Sequence, residues 1–177
     1  MAFNLPSVEL INYEADDLIA TYTEQILKIG AKVTIVSSDK DLMQLFNKNV
    51  RIYDPMKNKF LGEEDVIKKF GVKSEKVIDV QSLAGDTSDN VPGVPGIGVK
   101  TAAELINKYG NLEKLLSKAH EIKQNKRRET ILENKDKALI SKKLVTLKKH
   151  VPIKMKLDDF VIKDIDKDKL YEFLREM

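Results

Sequence analysis

Acidic side chains occur in three short clusters along the chain, and each cluster lies where a predicted helix or strand meets a loop. Carboxylates grouped in this way repel one another unless cations neutralise them. Carboxylate oxygens are the ligands that Mg²⁺ and Mn²⁺ prefer. Two such ions about 4 Å apart could bind a phosphodiester and stabilise the oxygen that leaves when it is hydrolysed. The clusters are Glu14-Ala15-Asp16-Asp17, Asp39-Lys40-Asp41 and Asp86-Thr87-Ser88-Asp89.

An ordinary structural role is the alternative for each cluster. Helix caps and turns favour aspartate because its short side chain accepts hydrogen bonds from nearby backbone amides. On that interpretation the first cluster caps a helix, the second caps a short helix over 42–46, and the third forms a turn. The residues concerned are Asp16 or Asp17, then Asp41, then Asp86 and Asp89.

The direction of the acidic side chains depends on local structure. In an extended segment Glu14 and Asp16 point the same way, whereas in a helix Glu14 shares a face with Asp17. The sequence leaves both arrangements open. Asp39 and Asp41 directly follow a predicted strand, so they can point into one space at the edge of the sheet where α/β folds place their sites.

The elements that position these acids alternate between helix and strand in the first part of the chain. Apolar residues at three- and four-residue spacings predict a helix over 14–29. Runs rich in β-branched residues predict strands over 31–37 and 50–53, with a short helical piece over 41–46 between them. This pattern predicts an α/β fold with a partial, mostly parallel sheet and flanking helices.

From residue 63 onward the pattern is helical. We therefore divide the chain into an α/β portion over 1–62 and a helical region over 63–177. The predicted helices cover 63–70, 74–84, 99–108, 111–118, 126–147 with a break near Asn134, and 167–176.

A glycine-rich loop, Val-Pro-Gly-Val-Pro-Gly-Ile-Gly over 91–98, joins two of the predicted helices. It is typical of a helix–hairpin–helix turn, in which glycines let the backbone approach a phosphate and the next helix presents free amides to the anion. Such a contact reads the DNA backbone rather than its bases. An ordinary loop between helices is the alternative. The candidate DNA-binding residues are Gly93, Gly96, Ile97, Gly98, Lys100 and Thr101.

Charge is distributed unevenly along the chain. Residues 1–90 carry 11 basic and 15 acidic side chains, a net charge of −4, whereas residues 91–177 carry 20 basic and 13 acidic, a net charge of +7. An acidic half beside a basic half suits a protein that holds divalent cations with one part and a polyanion with the other. A lysine-rich surface that only provides solubility is the alternative.

Composition excludes several kinds of protein. The chain has no cysteine, which excludes disulfide scaffolds, thiolate zinc sites, iron–sulfur clusters and cysteine nucleophiles. No apolar run approaches the roughly 18 residues of a membrane span. The first residues lack the basic and apolar regions of a secretory signal, so we expect a cytoplasmic protein that does not bind a membrane.

Taken together and in order, four motifs resemble the 5′–3′ exonuclease domain of bacterial DNA polymerase I, a member of the flap endonuclease superfamily. The resemblance covers essentially all of the chain. It implies a PIN-like 5′-nuclease core followed by a SAM-like helix–three-turn–helix region at about 74–108. The motifs are Tyr13-Glu14-Ala15-Asp16-Asp17, Ser38-Asp39-Lys40-Asp41-Leu42, the segment Leu83–Asn90 with the sequence LAGDTSDN, and the segment Val91–Ala102.

The resemblance implies a structure-specific 5′ nuclease that removes RNA primers and 5′ flaps in DNA replication and repair. Its substrates would be duplex DNA with a 5′ flap or nick and RNA primer–DNA junctions, and its cofactors two Mg²⁺ or Mn²⁺ ions. In relatives the glycine turn at 93–98 sometimes holds a K⁺ ion. The implied metal ligands are Glu14, Asp16, Asp17, Asp39, Asp41, Asp86 and Asp89, with Asp39, Asp41 and Asp86 catalytic.

The chain departs from the family pattern at its amino end. Family members carry two strands with metal-binding aspartates and a basic arch before the segment that matches Tyr13, and this chain has only 12 residues there. We therefore expect the carboxy-terminal part of such a domain, joined to a polymerase domain in the parent chain if it is a piece of one. Fewer metal ligands would limit catalysis, and an open sheet edge would favour self-association or marginal stability.

Two other hypotheses remain open at this point. The chain could be a non-catalytic module that binds duplex DNA through the glycine turn and the basic helices. It could also be a generic α/β protein whose acids are caps and whose lysines provide solubility. Dependence on Mg²⁺ separates a nuclease from a binding module, and a steep fall of DNA affinity with salt separates both from the generic protein.

Overall fold

The structure is a computed structural model that describes residues 3–177, so the predicted portion 1–62 includes two residues outside the described part. The chain begins with helix α1 and a small sheet and continues as a set of packed helices. In the first part the elements are α1 (Ala15–Lys28), β1 (Val33–Val36), a 3₁₀ turn (Asp41–Leu45), β2 (Val50–Asp54) and β3 (Lys59–Leu61).

The sheet has three strands in the order β1-β2-β3. β1 and β2 are parallel, with Val33 opposite Val50, whereas β2 and β3 are antiparallel, with Ile52 opposite Leu61. The sequence did not predict β3, because three residues are too few to show a period. The α/β fold is confirmed, and the short third strand makes its sheet a mixed one. β1 has no second strand partner among residues 3–177.

The helical region matches its predicted elements closely. A 3₁₀ turn precedes α3 within the predicted helix 74–84, and the predicted break near Asn134 is present between α6 and α7. The helices are α2 (Glu63–Phe70), α3 (Val77–Ala84), α4 (Val99–Tyr109), α5 (Leu112–Ser117), α6 (Asn125–Glu133), α7 (Lys135–Val145) and α8 (Lys167–Glu176).

α3 is the central helix of the helical region and packs against both α4 and α7. Its Val77, Val80 and Leu83 have no exposed surface. They belong to one hydrophobic cluster that also contains Ile35 and Ile52 of the sheet. Each such side chain contributes about 1.5–3 kcal/mol by leaving water, so the core holds the end of α3 firmly beside the sheet.

The division at residues 62 and 63 stays a proposal, because the hydrophobic cluster continues across it. Within the described residues, no helix combines the length and apolar character that crossing a bilayer would require.

Candidate metal centre and glycine turn

The second acidic cluster lies just beyond the end of β1, at the predicted edge of the sheet. The backbone amide of Asp39 donates to the hydroxyl of Ser37 at 3.0 Å, and the backbone amide of Asp41 donates to Oδ1 of Asp39 at 2.9 Å. Asp39 therefore accepts from the first amide of the 3₁₀ turn, whose N-cap residue is Lys40. The alternative in which Asp41 is the cap is wrong, and the carboxylate of Asp41 is left free to face α3.

Asp41 is fixed in place by a side chain of α3. Nε2 of Gln81 donates to Oδ1 of Asp41 at 2.6 Å. Burial raises the pKa of Asp41; the Gln81 hydrogen bond opposes that rise, and the negative charge of Asp39 adds to it. The pKa is raised overall, as expected for a carboxylate that lacks a cation of its own.

The third cluster lies in a loop that follows α3. The amide of Asp86 donates to the carbonyl of Val91 at 3.0 Å and the amide of Val91 donates back at 2.8 Å, which closes the loop at its base. Oδ1 of Asp86 also accepts from the amide of Ser88 at 3.1 Å. Asp86 therefore has the turn-forming role that its spacing allowed, and its second carboxylate oxygen contacts Lys40.

The loop brings its acids to the second cluster. One carboxylate oxygen from each of Asp41, Asp86 and Asp89 lies within 4.8 Å of the other two. We call these three residues the acid cluster. Asp41 and Asp86 are half-buried, whereas Asp89 is exposed. An all-oxygen set with this spacing fits a hard divalent cation such as Mg²⁺ or Mn²⁺.

Among the described residues, a single ammonium group contacts the acid cluster. Nζ of Lys40 lies 2.5 Å from Oδ2 of Asp86 and 4.0 Å from Oδ2 of Asp89. Burial alone would raise the pKa of Asp86, but the Lys40 ammonium and the Ser88 amide lower it overall. The Asp86 hydrogen bond is the main cause of a raised pKa at Lys40.

The first acidic cluster divides between two places. α1 begins at Ala15 and has the extended Glu14 as its N-cap, without a side-chain cap bond, so the alternative in which Asp16 or Asp17 caps the helix is wrong. Oδ1 of Asp17 accepts from the backbone amide of Lys148 at 2.8 Å, which ties α1 to the segment after α7. Glu14 and Asp17 are outside the acid cluster.

Asp16 lies near the second acidic cluster, and neighbouring carboxylates repel its negative charge. Its pKa is raised from 3.8 to about 6, chiefly by burial and then by the negative charges of Asp39, Asp41, Glu14 and Asp17, in that order. A carboxylate with this pKa lacks a neutralising partner in the metal-free protein. Asp16 and Asp39 therefore surround the acid cluster with additional negative charge.

Close backbone packing fixes the loop that carries Asp86. Gly93 has φ +60°, and a Cβ there would lie 2.4 Å from the backbone nitrogen of Gly85. The amide of Gly93 donates to the hydroxyl of Ser141 in α7 at 2.9 Å. Gly93 is buried, so its amide serves the packing of this loop rather than an external phosphate.

The rest of the glycine turn is open to solvent. Gly96 has φ +75°, and nothing lies within 4 Å of a Cβ built at Gly96 or Gly98. Ile97 is buried and packs in the core, whereas Lys100 is exposed and Thr101 half-buried in the first turn of α4. The first amides of an α-helix have no acceptor within it, so this turn and the start of α4 present donors to an anion.

Three functional contacts were not predicted from the sequence. They involve Lys40, Gln81 and Ser141. Gln81 had a detectable signal, since it lies one helical turn after Val77 and beside Val80, on the apolar face of the predicted helix over 74–84. A polar residue at such a position needs a partner. The partners of Lys40 and Ser141 lie more than 40 residues away, so no local pattern indicates them.

Comparison with known proteins identifies the family. The model for the 5′–3′ exonuclease N-terminal resolvase-like domain matches residues 1–71, and the model for the 5′–3′ exonuclease C-terminal SAM fold matches residues 72–168. The chain belongs to the 5′–3′ exonuclease family. The resemblance inferred from the four motifs is confirmed, as is a SAM fold in the helical region.

Relatives in this family include bacterial polymerases and separate exonucleases. The chain is 56% identical to DNA polymerase I of Rhizobium leguminosarum over 176 residues, which cover 99% of this chain and 17% of the relative. It is 41% identical to the 5′–3′ exonuclease of Aquifex aeolicus over 173 residues, which cover 98% of this chain and 58% of the relative. The chain thus spans about a sixth of the first relative and somewhat more than half of the second.

Solved structures show the same fold. A bacteriophage T5 flap endonuclease in a pseudo-enzyme–product complex with DNA and metal ions matches with a TM-score of 0.75 and 21% identity, over 96% of this chain and 62% of that one. A T5 5′-exonuclease with bound divalent zinc ions matches with a TM-score of 0.75 and 24% identity, over 80% of this chain and 53% of that one.

Proposed function

We propose that this chain contributes 5′–3′ exonuclease and flap endonuclease activity in RNA primer removal and DNA repair, by hydrolysis of phosphodiesters with Mg²⁺ or Mn²⁺. The substrates are duplex DNA with a 5′ flap or nick and RNA primer–DNA junctions, handled in the cytoplasm beside the nucleoid. The observation that carries the proposal is the convergence of the Asp41, Asp86 and Asp89 carboxylates within 4.8 Å of one another.

Two divalent ions, when bound, supply the Lewis acidity that phosphodiester hydrolysis needs. Asp41 and Asp86 are the proposed central ligands, because α3 and the loop after it hold both carboxylates half-buried. Asp89 is exposed and adds a ligand from the same loop. Asp16 and Asp39 lie around them, and Glu14 at the start of α1 completes the proposed acidic surface. Asp17 supports α1 through Lys148 instead of facing the acid cluster.

DNA binding is proposed for the open part of the glycine turn. Gly96 and Gly98 leave room for a phosphate, Lys100 supplies a positive charge, and Thr101 lies in the same helical turn. Ile97 holds the turn on the core, and Gly93 holds it beside the Asp86 loop. A K⁺ ion, which the resemblance implies for some relatives, is also proposed for this turn, and measuring duplex affinity in KCl and in NaCl tests it.

Basic helices extend this surface. Residues 121–150 carry 10 basic and 4 acidic side chains, most of them on α6 and α7. Not all of this charge is free, because Arg128 donates to Ile122 and Asn125, and Lys142 donates to Asp79 and Glu113. Ionic contacts between the remaining lysines and DNA phosphates would give an affinity that falls steeply with salt.

The test is cleavage of a 5′-labelled flap duplex in Mg²⁺, with EDTA as the metal-free control. Asp86→Asn removes a ligand of the acid cluster and should lower the rate by roughly a hundred-fold or more, the loss typical of one transition-state contact. Asp168→Asn is the matched control, since Asp168 is an exposed aspartate of α8. Cutting that survives Asp86→Asn would contradict the proposed site.

A non-catalytic duplex-binding module is the second candidate, favoured by the open glycine turn beside the start of α4. Its signature in the same assay is duplex binding that weakens with salt, together with no cleavage in Mg²⁺ or Mn²⁺. A Lys100→Met variant should weaken binding for either candidate. Asp86→Asn should change the rate of cleavage only if the chain is a nuclease.

A further inference from the structure

The acid cluster already contains a cation supplied by the chain itself. Nζ of Lys40 contacts Asp86 at 2.5 Å and approaches Asp89 at 4.0 Å. Among residues 3–177 no other lysine or arginine nitrogen lies within 4 Å of the carboxylates of the acid cluster. One ammonium thus faces three carboxylates, and the charges of Asp16 and Asp39 add to the excess of negative charge.

We propose that the Lys40 ammonium is the resident counter-cation of the acid cluster and that a divalent ion displaces it from Asp86 on binding. The inference rests on the proposed function, since it assumes that the acid cluster is the metal site. Lys40 holds the carboxylates together before a metal arrives, and it competes with the metal for the same oxygens.

The competition follows from chemistry and charge. An ammonium donates hydrogen bonds to carboxylate oxygens and has no acceptor for a metal ion, so it cannot become a ligand. A divalent ion at Asp86 and Asp89 would also lie close to the Lys40 charge and be repelled by it. Binding of the ion and departure of the ammonium are therefore coupled.

The position of Lys40 allows the ammonium to leave without a change in the backbone. Its backbone lies at the start of the 3₁₀ turn, between the two aspartates of the second cluster, and its side chain is 29% exposed. Four methylenes with rotatable bonds separate the ammonium from that backbone, so the ammonium can move while the backbone stays in place. Asp41 meanwhile keeps its own support from Gln81.

Two opposite effects of removing the ammonium follow. The metal-free protein loses the charge that neutralises Asp86, so its melting temperature in EDTA should fall. The metal-bound protein loses a competitor, so its affinity for a divalent ion should rise. We expect Lys40→Met to bind Mn²⁺ roughly ten-fold more tightly. In this variant the ion no longer has to break a charge-assisted hydrogen bond when it binds.

The experiment measures Mn²⁺ binding in the absence of DNA, from the electron paramagnetic resonance signal of free Mn²⁺, for the wild type and four variants. Lys40→Met is the test and Lys40→Arg keeps the cation, so its affinity should stay near that of the wild type. Lys48→Met is the matched control, because Lys48 is exposed and has no ion pair among the described residues. Asp86→Asn removes the proposed ligand.

The outcomes separate this inference from the proposed function. The inference is supported if Lys40→Met binds Mn²⁺ more tightly than the wild type while Lys40→Arg and Lys48→Met are unchanged. Lys40→Met should also show a larger rise in melting temperature when Mn²⁺ is added. Equal or weaker binding in Lys40→Met overturns it, while loss of binding in Asp86→Asn still supports the metal site. Unchanged binding in Asp86→Asn overturns both.

Discussion

Gln81 holds Asp41 by a hydrogen bond of 2.6 Å from its Nε2, while its Oε1 is buried without a hydrogen-bond partner among the described residues. The residue is only 3% exposed. A buried amide with one unpaired oxygen lowers the free energy of unfolding, since that oxygen has lost its water. The chain keeps this amide where it orients a carboxylate of the acid cluster, which indicates a positioning role for Gln81.

Replacement of Gln81 by methionine should weaken the metal site without unfolding the protein. Gln81→Met frees Asp41 to rotate and removes a hydrogen bond that lowers its pKa, so Mn²⁺ affinity should fall roughly ten-fold, as for other groups that orient metal ligands. The free energy of unfolding should change little, because the unpaired oxygen is removed too. Mn²⁺ titration and urea denaturation measure the two quantities.

Gln44 provides the matched control. Its Nε2 donates to the carbonyl of Val145 at 2.9 Å and its Oε1 accepts from the amide of Leu147 at 3.2 Å, away from the acid cluster. Gln44→Met should lower stability and leave Mn²⁺ affinity unchanged. The positioning role would be wrong if Gln81→Met bound Mn²⁺ as the wild type does.

The raised pKa of Asp16 predicts how the metal-free protein responds to pH. With a pKa of about 6 in the folded state against 3.8 in the unfolded state, Asp16 keeps its proton on folding between these values. The free energy of unfolding therefore falls as pH rises from about 4 to about 6, and the loss persists above that range. Asp16→Asn should remove this loss of stability. It should stabilise the metal-free protein at pH 7.5 by about 1 kcal/mol, a figure reduced because solvent screens a half-exposed carboxyl.

Thermal denaturation in EDTA at pH 4 and pH 7.5 measures this effect. The melting temperature of Asp16→Asn should exceed that of the wild type at pH 7.5 and approach it at pH 4. Asp168→Asn should follow the wild type at both values. An equal advantage of Asp16→Asn at both pH values would show that ionisation of Asp16 is not the cause.

Lys142 of α7 joins two other helices through its ammonium group. Nζ lies 2.8 Å from Oδ1 of Asp79 in α3 and 2.7 Å from Oε1 of Glu113 in α5. Lys142→Met would leave the Asp79 carboxylate, whose side chain is 10% exposed, without a counter-charge. We expect a loss of about 3 kcal/mol in the free energy of unfolding, at the lower end for a broken buried ion pair.

Urea denaturation at pH 7 measures that loss. Lys143→Met is the neighbouring control, because Lys143 is exposed and has no ion pair among the described residues, and it should unfold within about 0.5 kcal/mol of the wild type. Combining Lys142→Met with Asp79→Asn should recover part of the stability, since the buried charge is then removed. No recovery in the double variant would indicate lost packing instead.

Gly93 and Gly96 both have positive φ but differ in the space around them. Alanine at either position strains the backbone by about 1–2 kcal/mol. At Gly93 the new Cβ would also lie 2.7 Å from the backbone carbon of Ala84, whereas at Gly96 it meets nothing within 4 Å. Gly93→Ala should therefore lose roughly 3 kcal/mol or more of the free energy of unfolding, a larger loss than in Gly96→Ala.

Chemical denaturation of the two variants side by side makes the comparison. Because Gly93 supports the loop that carries Asp86, its alanine variant should also bind Mn²⁺ more weakly, while Gly96→Ala should keep the affinity of the wild type. Equal losses of stability would show that the close contact with Gly85 relaxes at little cost.

Much of this fold follows from local sequence patterns. The sequence patterns predicted the bounds of α1, α2, α4 and α8 closely, and the β-branched runs predicted β1 and β2. Both kinds of pattern are properties of neighbouring residues in the chain, so the sequence alone shows them. β3 was missed because a three-residue strand exists only by pairing with β2. The edge where the acids gather followed from the rule that parallel strands place their carboxyl ends together.

The amino-acid sequence by itself determined the acid-rich motifs, the glycine-rich loop and the family to which they belong. Only the tertiary structure decided which acids meet. Asp41, Asp86 and Asp89 converge because core packing holds α3 beside the end of β1, whereas Asp17 is drawn to Lys148 across more than a hundred residues of chain. Lys40 and Gly93 acquired their roles in the same way, since a contact between distant segments depends on the packing of the whole chain. For Gln81 the local pattern indicated only that a buried polar side chain needs a partner, and the tertiary structure decided that the partner is Asp41.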